Sequence, residues 1–371
     1  MVVDLISPIK DRSHPMEARR WYRIHVTDPI KLEPAPKKLV EHEQQRFGRF
    51  TTPVEHANLI DAYHHGMPRP IRGLRLKEWQ ALQITSPDVF ANFALFDAKL
   101  MSLVQAKVYE RAPKTKIIHE WKLRPRSFKI ADQLLDSTNT FSDRRGELTF
   151  RNEVARGKIR LEFEFGATAD LPRLVGRIDV HCDRGASQIV SLPFPGEGGM
   201  YSHKGMFPIE GTLAVGDRAF TFRPETSLAL LDDHKGYYPY VMRWDWITSA
   251  GFFDGEARGF NLTHNQCRDP ERYNENCAWR GDRIGILPAV DFVRENERRA
   301  GEVWRVRDKQ GRVDVTFTPT MPGDVRVNAV VVESRYRGPF GTFSGRVEPE
   351  GLEPIVIDDW FGMGEDFYLR C

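Results

Sequence analysis

From Tyr238 to Trp246 every second residue is large: Tyr238, Tyr240, Met242, Trp244 and Trp246. A period of two places all five on one face of a β-strand, with Arg243 and Asp245 on the other. A second alternation follows, Asn261, Thr263 and Asn265 against Phe260, Leu262 and His264. A strand that is apolar on one side and Asn-Thr-Asn on the other belongs to a core that encloses something polar. The pattern recurs along the chain. Ile159, Leu161, Phe163 and Phe165 alternate with Lys158, Arg160, Glu162 and Glu164, and runs at 79–84, 89–96 and 101–109 are separated by polar turns such as Ser86-Pro87-Asp88. Hairpin signals such as Gly216-Asp217 continue to a long strand over 325–336. Two short helical segments are expected, at 38–47 and at 225–231, the second entered from Pro224. The whole reads as an all-β chain of two antiparallel barrels or sandwiches with few short helices.

Length makes two domains the natural division, since 371 residues exceed a typical single core. Residues 1–67, rich in charge and proline and poor in periodicity, read as an N-terminal arm. Residues 68–150 read as a first barrel portion and 151–371 as a second barrel, with Asp143-Arg144-Arg145-Gly146 as the turn between them. The last strand is free to return to the first barrel.

Composition narrows the partners. The 54 basic and 52 acidic residues leave a net charge of +2, without the basic runs that nucleic acid or an anionic membrane would require. No apolar stretch approaches the ~18 residues of a membrane span. The opening MVVDLISPIKDRSHP lacks the apolar segment of a signal peptide, so a cytoplasmic protein is expected. Cys182, Cys267, Cys277 and Cys371 show no CxxC spacing and read as reduced thiols, Cys267 and Cys277 being the pair that flanks a polar loop.

Most side chains able to do chemistry fall within 230–279. Asp232, Asp233 and His234 end the expected helical turn; a carboxylate beside an imidazole fixes its tautomer and raises its basicity. The same residues also suit a plain turn, with Asp side chains bonding backbone N–H groups. Glu275 stands between Asn274 and Asn276 and close to Trp279; in partly apolar surroundings its pKa would rise toward that of a general acid. Asp254 and Glu256 lie in the loop between the two alternating runs. His203 and His264, with an Asp or Glu, can be drawn as a metal site, but no HExxH or paired CxxC supports one, so no metal and no cofactor are expected. The adjacent His64 and His65 read as a solvated turn, and Gly196-Glu197-Gly198-Gly199 as a tight turn without the GK[ST] of a phosphate loop.

Several phrases occur in a fixed order: GMYSHKGMFPIEG, DDHKGYYPYVMRWDW, GFNLTHN, NENCAW and GTFSG. Over roughly residues 48–371 the chain resembles the family catalogued as domain of unknown function 2804. More distantly it is similar to the hydroxyneurosporene synthase, tocopherol cyclase and fungal Diels–Alderase group. That resemblance implies two lipocalin-like antiparallel β-barrel domains and a cavity; it does not fix a reaction.

Three function classes follow. The first is a small-molecule enzyme with a pocket at or between the barrels, performing cofactor-independent hydration, dehydration, isomerisation or cyclisation on a largely apolar substrate. Asp232, His234 and Glu275 would be catalytic. Tyr238, Tyr240, Trp244, Trp246, Asn261, Asn265, Asn274, Asn276, Trp279 and His203 would bind the substrate. The second is a glycoside hydrolase with paired carboxylates and Trp and Asn sugar contacts. The third is a non-catalytic carrier. Buried Asp, Glu and His in the cavity lining favour an enzyme, and a wholly apolar lining favours a carrier.

Overall fold

Strand pairing divides the chain between Gly236 and Val241. The computed structural model describes residues 32–328 and 333–370. Before the division lies a 14-stranded sheet. Its main path runs Thr115–Leu123, Ser102–Glu110, Val89–Asp97, Lys77–Thr85, Leu228–Gly236, Gly199–Val215, Leu174–His181, Lys158–Phe165, Gly146–Glu153 and Ser137–Asp143, every neighbour antiparallel. After it lies an 11-stranded sheet built around Val241–Phe253 and Ile355–Arg370. The all-β architecture of two antiparallel, barrel-like units with few short helices is the one the chain adopts.

Each sheet curls around a core of its own. The first core takes Ile117 from one edge strand and Phe141 from the other, and Trp121 meets Phe141 at 6.2 Å, so the edges face each other across shared apolar side chains. The second core gathers Ile247, Phe260, Leu262, Trp304, Phe317, Phe343 and Trp360. Period-two alternation explains both: one parity of each strand points into its own barrel. In the strands that meet the other sheet, the second parity is covered as well. Lys77–Thr85 and Leu228–Gly236 are buried along almost their whole length for this reason.

Four sequence expectations are corrected. The change of sheet does not come near 150, which lies inside Gly146–Glu153 with partners on both sides in one sheet. The helix expected over 38–47 is the hairpin Val40–Glu41 with Gln44–Gln45, whose turn residues His42 and Glu43 both have positive φ, 49 and 62. The helical turn expected over 225–231 is a tight turn closed by Ser227 N to Arg223 O, followed by the strand Leu228–Gly236. Its apolar run of Leu228 to Leu231 fits either element locally, and pairing on both edges decides for the strand. The arm expected over 1–67 lies outside the described residues as far as 31; beyond that, Gly48–Phe50 pairs with Ala186–Pro193 as part of the first sheet. The final strand, Ile355–Arg370, stays in the second sheet.

Candidate functional site

Where the outward faces of the two sheets meet, they leave a cavity of about 300 Å³. The first sheet contributes Trp79, Ala81, Ala94, Phe96, Leu103 and Met200, and the second Trp244, Trp246, Phe367 and Leu369. The walls are therefore mostly apolar. Polar groups gather in places, foremost Lys204, Asp232, His234 and Glu275, which all reach the lining.

Cross-strand register assembles the polar region. In the pair Gly199–Val215 and Leu228–Gly236, Ser202 lies opposite His234 and Lys204 opposite Asp232, so all four share the cavity face. Trp79 is registered to His234 from the next strand. Glu275 enters from the loop 266–276. Asn261 donates Nδ2 to its backbone carbonyl at 2.8 Å, and Asn265 donates Nδ2 to its Oε1 at 3.4 Å.

The side chains interlock. His234 Nε2 is 3.1 Å from Asp232 Oδ1 and 3.2 Å from Glu275 Oε2. Ser202 Oγ lies 2.9 Å from the same nitrogen and donates to Glu275 Oε2 at 2.8 Å. Lys204 Nζ donates to Asp232 Oδ1 at 2.6 Å and lies 3.8 Å from Glu275 Oε2. The other ring nitrogen, Nδ1, faces the Tyr238 hydroxyl at 3.3 Å. Trp79 stacks on the imidazole at 4.4 Å with 9° between planes and donates Nε1 to Asp232 Oδ2 at 3.3 Å.

Two carboxylates, one ammonium and one imidazole make a balanced set only when the imidazole carries a proton. Burial and Lys204 push His234 toward neutrality, but Asp232 and Glu275 outweigh them and raise its pKa. Burial likewise acts to raise both carboxyls. Lys204 and His234 overcome it, holding Asp232 well below the usual carboxylate range and Glu275 at about 2. The surroundings favour an imidazolium braced by two carboxylates, and the indole face against it favours the cation as well. Lys204 occupies the space between the two carboxylates, and among the described residues no group of three or more His, Cys, Asp and Glu is arranged to hold a metal ion.

The structure brings Asp232, His234, Glu275, Tyr238, Trp244, Trp246 and Asn265 to the cavity. Other expected contacts lie elsewhere. Tyr240 is 58% exposed, because the strand begins only at Val241 and the alternation fails before it. His203 has the opposite parity to Lys204; it points into the first barrel, with Nε2 3.0 Å from Ser187 Oγ. Trp279 is buried with its indole N–H on the Ala186 carbonyl. Asn261 accepts from Trp246 Nε1 at 2.7 Å and so braces the wall from behind. Asn274 and Asn276 hold the loop backbone: Asn276 Oδ1 accepts from Thr263 N, and Asn274 Oδ1 accepts from Asn276 N. Glu275 is an ionised carboxylate, where a raised acid was expected, because its neighbours are the cations Lys204 and His234. Asp254 is exposed at a hairpin turn, Glu256 pairs with Arg258 and Arg280, and Cys267 and Cys277 are both free thiols.

Sequence reasoning passed over Ser202, Lys204, Trp79, Tyr336 and Glu365. The parity of the GMYSHKGMF strand would have chosen Ser202 and Lys204 over His203 once its cavity face was known. Trp79, Tyr336 and Glu365 lie far outside 230–279 and carry no local signal.

Paired, partly closed antiparallel barrels with a polar cluster in the cavity between them define the class of protein. The chain belongs to the family described as Domain of unknown function (DUF2804), whose model matches residues 37–370. Kievitone hydratase from Nectria haematococca, a solved structure, is 15% identical, with 79% of this chain and 88% of that chain covered and a TM-score of 0.49. That likeness assigns no reaction to this chain. No curated protein matches it. Among the described residues no helix is long and apolar enough to cross a membrane.

Proposed function

We propose that the protein is a small-molecule enzyme performing cofactor-independent acid–base chemistry on a largely apolar substrate held between the two sheets. Hydration, dehydration, isomerisation and cyclisation all fit, because each begins or ends with a proton moved to or from carbon or a hydroxyl. One observation carries the reading: an imidazole with two carboxylate oxygens 3.1 and 3.2 Å from Nε2, set in the wall of a cavity whose lining is mostly apolar.

His234 delivers the proton. Asp232 and Glu275 hold the ring in place and stabilise its charged state before transfer and after its return. The mostly apolar walls leave few groups beside the ring to hold competing water. A sugar hydrolase is less well supported, since Ala81, Ala94, Phe96, Leu103 and Phe367 make much of the wall apolar where a sugar would need hydroxyl partners on every side. A carrier has no use for four ionisable groups brought together in its lining.

The test is label incorporation. The protein is incubated with a panel of isoprenoid alkenes and alcohols, beginning with myrcene, geraniol and farnesol, in D₂O and in H₂¹⁸O. Mass spectrometry should show deuterium or ¹⁸O entering at least one of them with wild-type protein and falling ~10²–10⁴-fold with His234→Gln. A wild-type protein that binds these compounds and returns them unlabelled is a carrier, and the reading is then wrong.

A further inference from the structure

The cavity has a second polar place, on the facing sheet. Glu365 in Ile355–Arg370 and Tyr336 in Glu333–Arg337 both reach the lining. Tyr336 donates its hydroxyl to Glu365 Oε1 at 2.7 Å, and Trp244 donates Nε1 to Oε2 at 3.1 Å. Behind them Lys107 is 1% exposed, and its Nζ stops at the Tyr336 hydroxyl, 3.1 Å away. Among the described residues no Lys or Arg forms an ion pair with Glu365. This differs from the first cluster, where every carboxylate touches a cation directly.

We propose that Glu365, held by Tyr336 and Trp244, is a second subsite that donates a hydrogen bond to an uncharged oxygen of the ligand, a hydroxyl or carbonyl. The cavity would thereby select neutral, oxygen-bearing apolar molecules over their carboxylate counterparts. The inference rests on the cavity being a small-molecule site.

Chemistry supports the donor role. With Oε1 and Oε2 already accepting from Tyr336 and Trp244, a protonated Glu365 has its acid hydrogen left for the cavity. The groups that face it act together. Burial pushes the carboxyl up; Tyr336, Trp244 and Lys107 pull it down, and Asp232 across the cavity pushes it up again, with a net rise. Burial also lowers Lys107, against the pull of Glu365 and Glu120, and Lys204 on the first sheet also senses Glu365. A carboxylate on the ligand would meet a lining that already holds Asp232, Glu275 and Glu120, where Lys204 is taken by Asp232 and the exposed Lys122 is the cation left to meet it.

Two measurements test this. The first needs no ligand. Infrared spectra of wild-type protein at neutral pH should contain the carbonyl stretch of a protonated carboxyl, absent in Glu365→Gln; a band missing from wild type overturns the proposal. The second compares geraniol, geranic acid and the hydrocarbon myrcene by calorimetry. Wild type should prefer geraniol to geranic acid by about tenfold or more. In Glu365→Leu the advantage of geraniol over myrcene should vanish, and Glu365→Gln, which keeps a neutral donor, should restore it. Equal binding of alcohol and acid to wild type, or an alcohol preference that survives in Glu365→Leu, defeats the subsite alone. Failure of all three to bind wild type defeats the reading of the cavity and this inference with it.

Discussion

The strands Gly199–Val215 and Leu228–Gly236 carry two buried charge clusters, one on each face. Toward the second sheet stand Ser202, Lys204, Asp232 and His234. Toward the first barrel stand His203, Asp233 and Lys235, the last two bonded at 2.8 and 3.0 Å and both fully buried. The sequence offers the two sets side by side, one residue apart. Burial and ion pairing are common to both, so neither property marks a functional site. What separates them is empty space. The first set borders a cavity, while the second lies on the side of the apolar cluster of Leu39, Val40, Phe50 and Tyr201. Electrostatics follows that division. His234, between carboxylates, has a raised pKa; His203, with burial and Lys235 against its charge, is lowered to about 3.

Function and stability should therefore part along the two faces. The largest effect belongs to His234→Gln, which should cut label incorporation ~10²–10⁴-fold while leaving a folded protein by circular dichroism. Loss of folding in proportion to loss of turnover would make the cavity face as structural as the other. Asp233→Ala should act the opposite way. Removing one partner strands Lys235 in the barrel and should cost ~3–5 kcal/mol in urea denaturation, with ligand affinity unchanged in the fraction that stays folded.

The histidines then differ in the sign of their pH dependence. His203, lowered to about 3 in the fold, favours the folded state fully above the unfolded pKa of ~6.5; that contribution is lost as pH falls toward 3. His203→Gln should thus gain on wild type on acidification, by something on the order of a few kcal/mol. His234, raised in the fold, contributes fully below ~6.5 and loses its contribution as pH rises through the folded value. His234→Gln should accordingly fall furthest behind wild type in acid and close the gap in alkali. Parallel pH curves for the two variants would erase the distinction. The smallest effect is reserved for Tyr240→Ala. At 58% exposure the ring touches neither cluster, and melting should move by less than the equivalent of ~0.5 kcal/mol.

How much of this the sequence disclosed depends on parity. Where a strand was recognised with its ends in place, alternation named the right side chains: Trp244 and Trp246 do share a face, as do Thr263 and Asn265. Where an element was mistaken, the residues were found for the wrong reason. In sequence Asp232 and His234 read as a helix end, yet they meet because they are two apart on a strand. His203 reads as a substrate contact from sequence, and one step of parity sends it to the face opposite Lys204. Glu275 shows a different gap. Its position in the site is legible, but the cations that set its charge state, Lys204 and His234, come from two other strands, Gly199–Val215 and Leu228–Gly236. Two-sheet burial was legible nowhere, because a strand covered on both faces has no wet side to announce its partner.

One feature of the wall gives the molecule an optical property. Phe367, Trp244, Trp79 and His234 form a continuous pile, with ring centres 3.9, 5.5 and 4.4 Å apart. A protonated imidazole lying flat on an indole drains its excited state, whereas a neutral one does so far less. Trp79 should therefore act as a built-in indicator: its emission is expected to be dim while His234 holds the proton and to brighten when the proton leaves, a change that Trp79→Phe should abolish against the background of the other tryptophans.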